Sequence, residues 1–290
     1  MKCKPARPGQ AMFTMRQLKQ AVRKISSFAG PDLTGHRAGH WKSAFRGRRE
    51  LESCEQRTQA ALHRFLETAL IDPDKIGDSN FWAYFTGGKI TVIPSQGKLR
   101  SVGLQNFLYK VYSQLLAKLQ GKALKDVAGP AHLGSLPSGI IAEGVLASCF
   151  MDLAVANPEQ QLVISRNDGD RAFPNASRRN ILTKLQSDER TKDYTAPAYA
   201  WVGRQTQMMV YPSRDQKTVV FRQAGGIVQG ETEGSKKYNI GSVDLVTNLQ
   251  DIGGDRAVVT AIVDDITAHG TLQAIMDMEE QREDLQLPSN

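Results

Sequence analysis

Ala257–Thr271 reads AVVTAIVDDITAHGT. An apolar run climbs to two adjacent aspartates, Asp264 and Asp265, and a mixed apolar and polar run leaves them. The spacing predicts a strand, a tight turn carrying both carboxylates, and a second strand. Aspartate is also ordinary turn chemistry, because its side chain caps its own backbone. Two carboxylates at a hairpin tip can nevertheless grip Mg²⁺, the ion that nucleotidyl transfer needs. The pair acquires that meaning only if the chain also supplies a third carboxylate and groups that handle phosphate.

The bulk properties narrow the setting. A chain of 290 residues suffices for one large domain or two small ones with a real core. Its 40% hydrophobic and 23% charged content is that of a folded chain rather than a disordered one. Cys3, Cys54 and Cys149 lie far apart, which argues against a disulfide framework or a zinc site. That usage fits a reducing compartment, so an intracellular place, nuclear or cytoplasmic, is expected over a secreted one. The longest apolar stretch, Ser138–Ala156, is interrupted by Glu143 and Asp152, and neither a membrane-spanning helix nor a membrane partner is expected. The net charge of +7 is uneven: Met1–Arg57 holds 13 Lys or Arg against 4 Asp or Glu, densest at Gly47-Arg48-Arg49. A basic arm on a near-neutral body suits either phosphate-backbone contact or a merely solvated tail.

Residues 1–57 read as an extension. Met12–Ser27 has Phe13, Leu18, Val22 and Ile25 on one helical face, and Ser27–Gly39 reads as loop. Helical spacing resumes from residue 58 with Ala61, Leu62, Phe65, Leu66 and Leu70. Lys89–Pro94 is strand-like; Ser95–Lys98 is a turn; Leu99–Gly103 follows. Helices are expected over Asn106–Leu119 and Ala142–Ala156, then a short strand at Gln161–Arg166. A helix near Ser177, with Asn175 as its N-cap, carries Ile181, Leu182 and Leu185. Residues 199–223 read as strands, with a turn at Ser213–Gln216. A helix over Gly234–Leu249, the aspartate hairpin and a last helix at Gln273–Leu285 complete the chain. Hairpins dominate over crossover units, so the fold class is α+β, an antiparallel sheet with helices on one face.

Four segments then fall into a known order. Asp168 ends a strand, with Phe173 five residues on, in DGDRAFPNASRR. Gln229-Gly230 follows a glycine-ended loop in GGIVQGETEGS, and Asp264-Asp265 closes the hairpin. This order resembles the palm of reverse transcriptases, particularly those of retrotransposons. Asp168, Ala172, Phe173, Ser177 and Arg178 match the first palm motif. Gly226, Gln229, Gly230 and Gly234 match the second, with Glu231 standing for its Asp. Upstream, Leu99–Gly103 with Leu108-Tyr109-Lys110 looks like the fingers segment. Each motif is weak alone; four in order are fairly specific.

The resemblance implies a right-hand polymerase palm with a fingers subdomain: a basic extension at 1–57, a fingers-like region at 58–157 and a palm at 158–290. It implies template-directed DNA synthesis from dNTPs by two-metal nucleotidyl transfer. Asp168 and Asp264 would hold two Mg²⁺ ions, with Mn²⁺ as the alternative, and Asp265 would be the outer or supporting acid. Phe173 would exclude a sugar 2′-hydroxyl. Gln229 and Gly230 would line the nucleotide pocket, and Lys98 and Arg100 would reach the phosphates or the template. The implied partners are an RNA or DNA template with its primer, and dNTPs.

The sequence also departs from the pattern. Ser101 and Thr232 replace prolines, Ile262 replaces an aromatic residue, and Lys236-Lys237 replace two apolar helix residues. Asp170 competes with Asp168 for the metal role, and its spacing to Phe173 favours Asp168. Only 25 residues follow Asp265, so no thumb is expected within this chain, and a separate thumb-bearing chain is one implied partner. The alternative reading is an inactive, truncated remnant that binds nucleic acid.

Overall fold

A computed structural model describes residues 12–26, 35–43, 45, 52–95, 98–169, 172–210 and 217–285. The basic Gly47-Arg48-Arg49 spot, most of the 27–39 loop, Gln96-Gly97, Asp170-Arg171 and the 213–216 turn lie outside the described residues.

The N-terminal part is helical. Helix α1 (Met15–Lys24) begins at a capping box, in which Thr14 accepts from Gln17 N and Gln17 bonds back to Thr14 N. It buries Leu18 and Val22, with Phe13 and Ile25 beside them, as the spacing predicts. Helices α2 (Ala38–Ser43), α3 (Glu52–Ile71) and α4 (Ser79–Phe85) follow. Strands β1 (Gly88–Ser95) and β2 (Lys98–Gln105) form an antiparallel hairpin. Helix α5 (Phe107–Ala128), capped by Asn106, buries Tyr109, Tyr112, Leu115 and Leu116 against α1 and α3 and runs past the expected end at Leu119.

Helix α6 (Gly139–Ala156) leads into β3 (Leu162–Asp168), the four-residue α7 (Ala172–Asn175) and α8 (Arg178–Ser187). Asn175 does not cap α8, because it is spent inside α7. Ser177 is the cap and accepts from Asn180 N at 3.2 Å. Residues 199–202, expected as strand, belong to helix α9 (Thr195–Val202). An apolar run cannot by itself separate strand from helix; the alanines at 196, 198 and 200 favour helix and fit into the core. Strands β4 (Thr206–Val210) and β5 (Val219–Gln223) then form a hairpin whose first strand lies parallel to β1, giving a mixed sheet in the order β2-β1-β4-β5.

The chain closes with α10 (Gly234–Gly253), β6 (Ala257–Ile262), β7 (Asp265–Thr271) and α11 (Leu272–Leu285). These complete a second, antiparallel sheet in the order β3-β7-β6. The architecture is thus α+β, with this sheet backed by helices. Val259, Ala261 and Ala268 of its rear face pack against Val246 and Leu249 of α10 and Ile275 and Met278 of α11. Helix α6 crosses the other face, a departure from the one-sided arrangement expected. Its Glu143 accepts from Thr260 Oγ1 at 2.6 Å and bonds His269 Nε2 at 3.1 Å.

That helix is turned the unusual way round. Its carboxylate meets the sheet, while Ile140, Ile141, Val145, Met151, Leu153 and Val155 are exposed. By length and composition, α6 is the one helix among the described residues apolar enough to cross a membrane, and only 6% of it is buried.

The aspartate hairpin differs from its expected form in one respect. Ile262 pairs with Asp265, so the two-residue turn is Val263-Asp264 and Asp265 is the first residue of β7. Val263 has φ 59°, a left-handed conformation that a β-branched side chain adopts only under strain. The expected outcome of Val263→Gly is a gain of up to about 1 kcal/mol, because relief of the left-handed cost outweighs the entropy glycine loses on folding. Urea denaturation checks this, and a loss of about 1 kcal/mol would show the turn to be unstrained.

Candidate active site

The sheet register builds the carboxylate cluster. Asp168 ends β3 directly opposite Asp265 at the start of β7. Directly opposed residues of an antiparallel pair project from the same face, so these carboxylates leave the sheet together. Asp264 sits beside them in the turn, and its carbonyl accepts from Gly169 N at 3.2 Å. Asp168 is exposed, whereas Asp264 and Asp265 are half-buried.

Electrostatics reflect this crowding. Burial pushes the Asp264 carboxyl above its ordinary range, and the negative charges of Asp265 and Asp168 push it further. A hydrogen bond from its own backbone and the nearby Arg100 guanidinium pull it back. Three acids at one end of a sheet are the donor set a hard divalent cation takes. They are not already converged: among the described residues, no group of three or more His, Cys, Asp or Glu is arranged to hold a metal ion. Asp265 is instead engaged by Arg166, whose Nη2 donates to Oδ2 at 2.9 Å. That hydrogen bond raises the guanidinium's pKa, with smaller contributions from the charges of Asp265, Asp168 and Glu143.

The other motif residues gather around this end. Phe173 is half-buried, its ring 5.8 Å from that of Tyr238. A Cβ added at Gly234 would stand 3.1 Å from the Phe173 ring, so glycine makes room for it. The Tyr238 hydroxyl is kept protonated by burial and by the charge of Asp264. The loop carrying Gln229-Gly230 is tied at both ends: Ile227 N donates to Phe173 O at 2.7 Å, and Gly103 N donates to Gln229 O at 2.8 Å. Gly230 has φ 91°, and a Cβ there would lie 2.8 Å from Val102. Only glycine fits that turn and that approach to β2. Arg178 locks the loop from below, donating to Gly226 O and Arg204 O, both at 2.7 Å. Arg100 is exposed on β2, and Lys98 opens the same strand opposite Ser95.

Beneath the loop lies a buried ionic cluster. Lys237 pairs with Glu231, and both side chains are 5% exposed. Tyr109 donates to Glu231 at 2.7 Å. Burial lowers the Lys237 ammonium, and nearby Arg178 lowers it further. Glu233 is 1% exposed; burial raises its carboxyl to about 7, against the opposing pull of Lys236.

Several of these residues escaped the sequence reading. Arg166 was legible in principle, since strand alternation puts it on the face of Asp168. Tyr238 lies four residues after Gly234 on the same helix face. The Glu143 contacts join residues more than a hundred apart, and no local signal marks them.

No family model matches the chain, and no curated protein matches it. Among solved structures it is similar to telomerase of Candida tropicalis truncated from its C-terminal domain, at 13% identity and TM-score 0.46, over 68% of this chain and 46% of that one. It is similar to the C. tropicalis telomerase in complex with a fragment of telomeric RNA, at 11% identity and TM-score 0.49, over 70% and 38%. For the Candida albicans telomerase in complex with the same kind of fragment, the values are 12%, 0.47, 71% and 41%. This chain spans less than half the length of each of these telomerases.

Two outcomes follow from the buried charges. Glu233 titrates at about 7 in the folded chain against 4.5 as a free group, so the folded state holds its proton more tightly than the unfolded state. Its contribution to stability is therefore full below about pH 4.5 and falls as pH rises through about 7. Glu233→Gln should remove that part of the decline, read by urea denaturation at pH 5 and pH 8. Lys237→Met should cost about 3–5 kcal/mol by stranding Glu231, and adding Glu231→Gln should recover much of it. Equal losses in the single and double variants would show that the two side chains do not act as a pair.

Proposed function

We propose that this chain carries a reverse-transcriptase-like nucleotidyl-transfer site of retrotransposon type, acting on a primer annealed to an RNA or DNA template. The observation that carries the reading is the placement of Asp168 opposite Asp265, with Asp264 in the adjoining turn. Two motifs far apart in sequence supply one end of one sheet, and the Phe173 segment is bonded to the loop that carries Gln229-Gly230. In this reading β3, β6 and β7 are the palm sheet and β1 and β2 belong to the fingers. A thumb-bearing partner chain and an intracellular setting belong to the same proposal.

Two Mg²⁺ ions, or Mn²⁺ in their place, would be held by Asp168 and Asp264 with Asp265 in support, and would supply charge neutralisation for the phosphates and acidify the primer 3′-hydroxyl. The chain's own groups do the remainder. Arg100, close enough to Asp264 to be felt by its carboxyl, balances the triphosphate, and Lys98 on the same strand adds positive charge. Phe173, held against Tyr238, blocks a ribose 2′-hydroxyl and favours dNTPs. Gly230 brings bare backbone against the incoming base and sugar, and Gln229 supplies an amide beside it. The primer 3′-oxygen, its proton passed to water, would form the new bond to the α-phosphorus, while the bond from that phosphorus to the β-phosphate oxygen breaks and its electron pair leaves on pyrophosphate.

Primer extension on an RNA template with Mg²⁺ and dNTPs tests this. Product is expected from the natural chain, and Asp264→Ala should lower it by at least about a hundredfold. Phe173→Val should let ribonucleotides in. No product, or equal product after Asp264→Ala, would overturn the catalytic reading. Two observations favour the alternative of an inactive nucleic-acid binder: among the described residues the acids are not converged on a metal site, and Arg166 holds Asp265. That alternative calls for salt-sensitive RNA binding that survives Asp168→Ala without any synthesis.

A further inference from the structure

Arg166 stands two residues before Asp168 on β3, so the two side chains leave the same face of the strand. Its guanidinium reaches diagonally to Asp265, the cross-strand neighbour of Asp168, and bonds Oδ2 at 2.9 Å. It also lies within electrostatic reach of Asp168 and Glu143. A cation of the protein's own thus sits among the acids that the proposed reaction assigns to a metal.

Resting on that assignment, we infer that Arg166 is an internal counter-ion that competes with the divalent cation for Asp265. Two effects act together. An oxygen bonded to a guanidinium has given up part of its lone-pair capacity, and a fixed positive charge a few ångströms away repels a second cation. Asp265 is thus already committed to a cation of the protein's own, at a sheet end where the described residues form no ready metal site. The pair is also built to exchange. Its two side chains are 68% and 33% exposed, so water and salt weaken the bond, and Asp265 turns to the metal without unpacking any core. The freed guanidinium then presents its donor fork to phosphate oxygens at the same site.

The test is Mn²⁺ binding to the full chain, read as free Mn²⁺ by electron paramagnetic resonance, with no template or nucleotide present. Asp264→Asn identifies the binding that belongs to this site. Arg166→Gln should tighten that binding by roughly two- to fivefold, the range an exposed ion pair commands. Arg166→Lys, which keeps the charge but loses the fork, should tighten it less. In an Asp265→Asn background the Arg166→Gln gain should vanish. Unchanged or weaker Mn²⁺ binding in Arg166→Gln, with binding still sensitive to Asp264→Asn, would overturn the inference and leave the metal site standing. Absence of any Asp264-sensitive binding in both chains would overturn the metal assignment and the inference together.

Discussion

The short loop Gly226–Glu231 is the constraint on which the rest of the site depends. It is held by main-chain bonds to two distant segments, Phe173 O and Gly103 N, and by the Arg178 side chain. None of these bonds asks for a particular side chain on the loop itself. They ask for a backbone that can turn sharply, which Gly226 and Gly230 allow with φ 64° and 91°. Because the loop touches both β2 and α7, the Arg100 strand and the Phe173 helix take their mutual positions from it. A shift in the loop would move the basic strand relative to the acids, and phosphoryl transfer is mostly a matter of such positioning.

Charge under the loop exacts a cost in stability. Lys237 and Glu231 are both withdrawn from water, and a buried pair of this kind commonly does no better than well-packed apolar residues. What the pair supplies is direction. It fixes the first turn of α10 against the loop and against Tyr109 of α5, so that Gly234 and Tyr238 present themselves to Phe173. Glu233 adds a carboxyl group whose Oε2 has no hydrogen-bond partner among the described residues. Strain at Val263 and crowding of Asp264 accumulate at the hairpin tip itself, a pattern common where geometry serves chemistry.

Much of this was legible in the sequence where the signal was local. The periodicities of α1, α3 and α10 and the alternation of the hairpins follow from burial on one face, so Leu18, Leu66, Val246 and Val259 fell where the pattern put them. The aspartate hairpin was legible as a hairpin but not in its register: the turn took Val263-Asp264 rather than both acids. Helix α9 was misread because an apolar run leaves strand and helix open until packing decides. At the candidate site, the face shared by Asp168 and Asp265 follows from motif order and strand pairing. The grip of Arg166 on Asp265, the burial of Lys237 and the turning of Glu143 toward His269 depend on tertiary contacts, for which no spacing rule exists.

The described residues form two hydrophobic cores, one joining the N-terminal helices to α8 and α9, and one behind the three-stranded sheet. Helix α10 belongs to both, Ile240 to the first, Val246 and Leu249 to the second. A single rigid rod shared in this way couples the two cores, since neither can open without losing its grip on the same helix. The carboxylates stand at the seam, with Phe173 seated on the first core and Asp264 and Asp265 at the tip of the second. Their alignment therefore works as a gauge of the whole chain: loosening at either end is felt first where the two halves must meet.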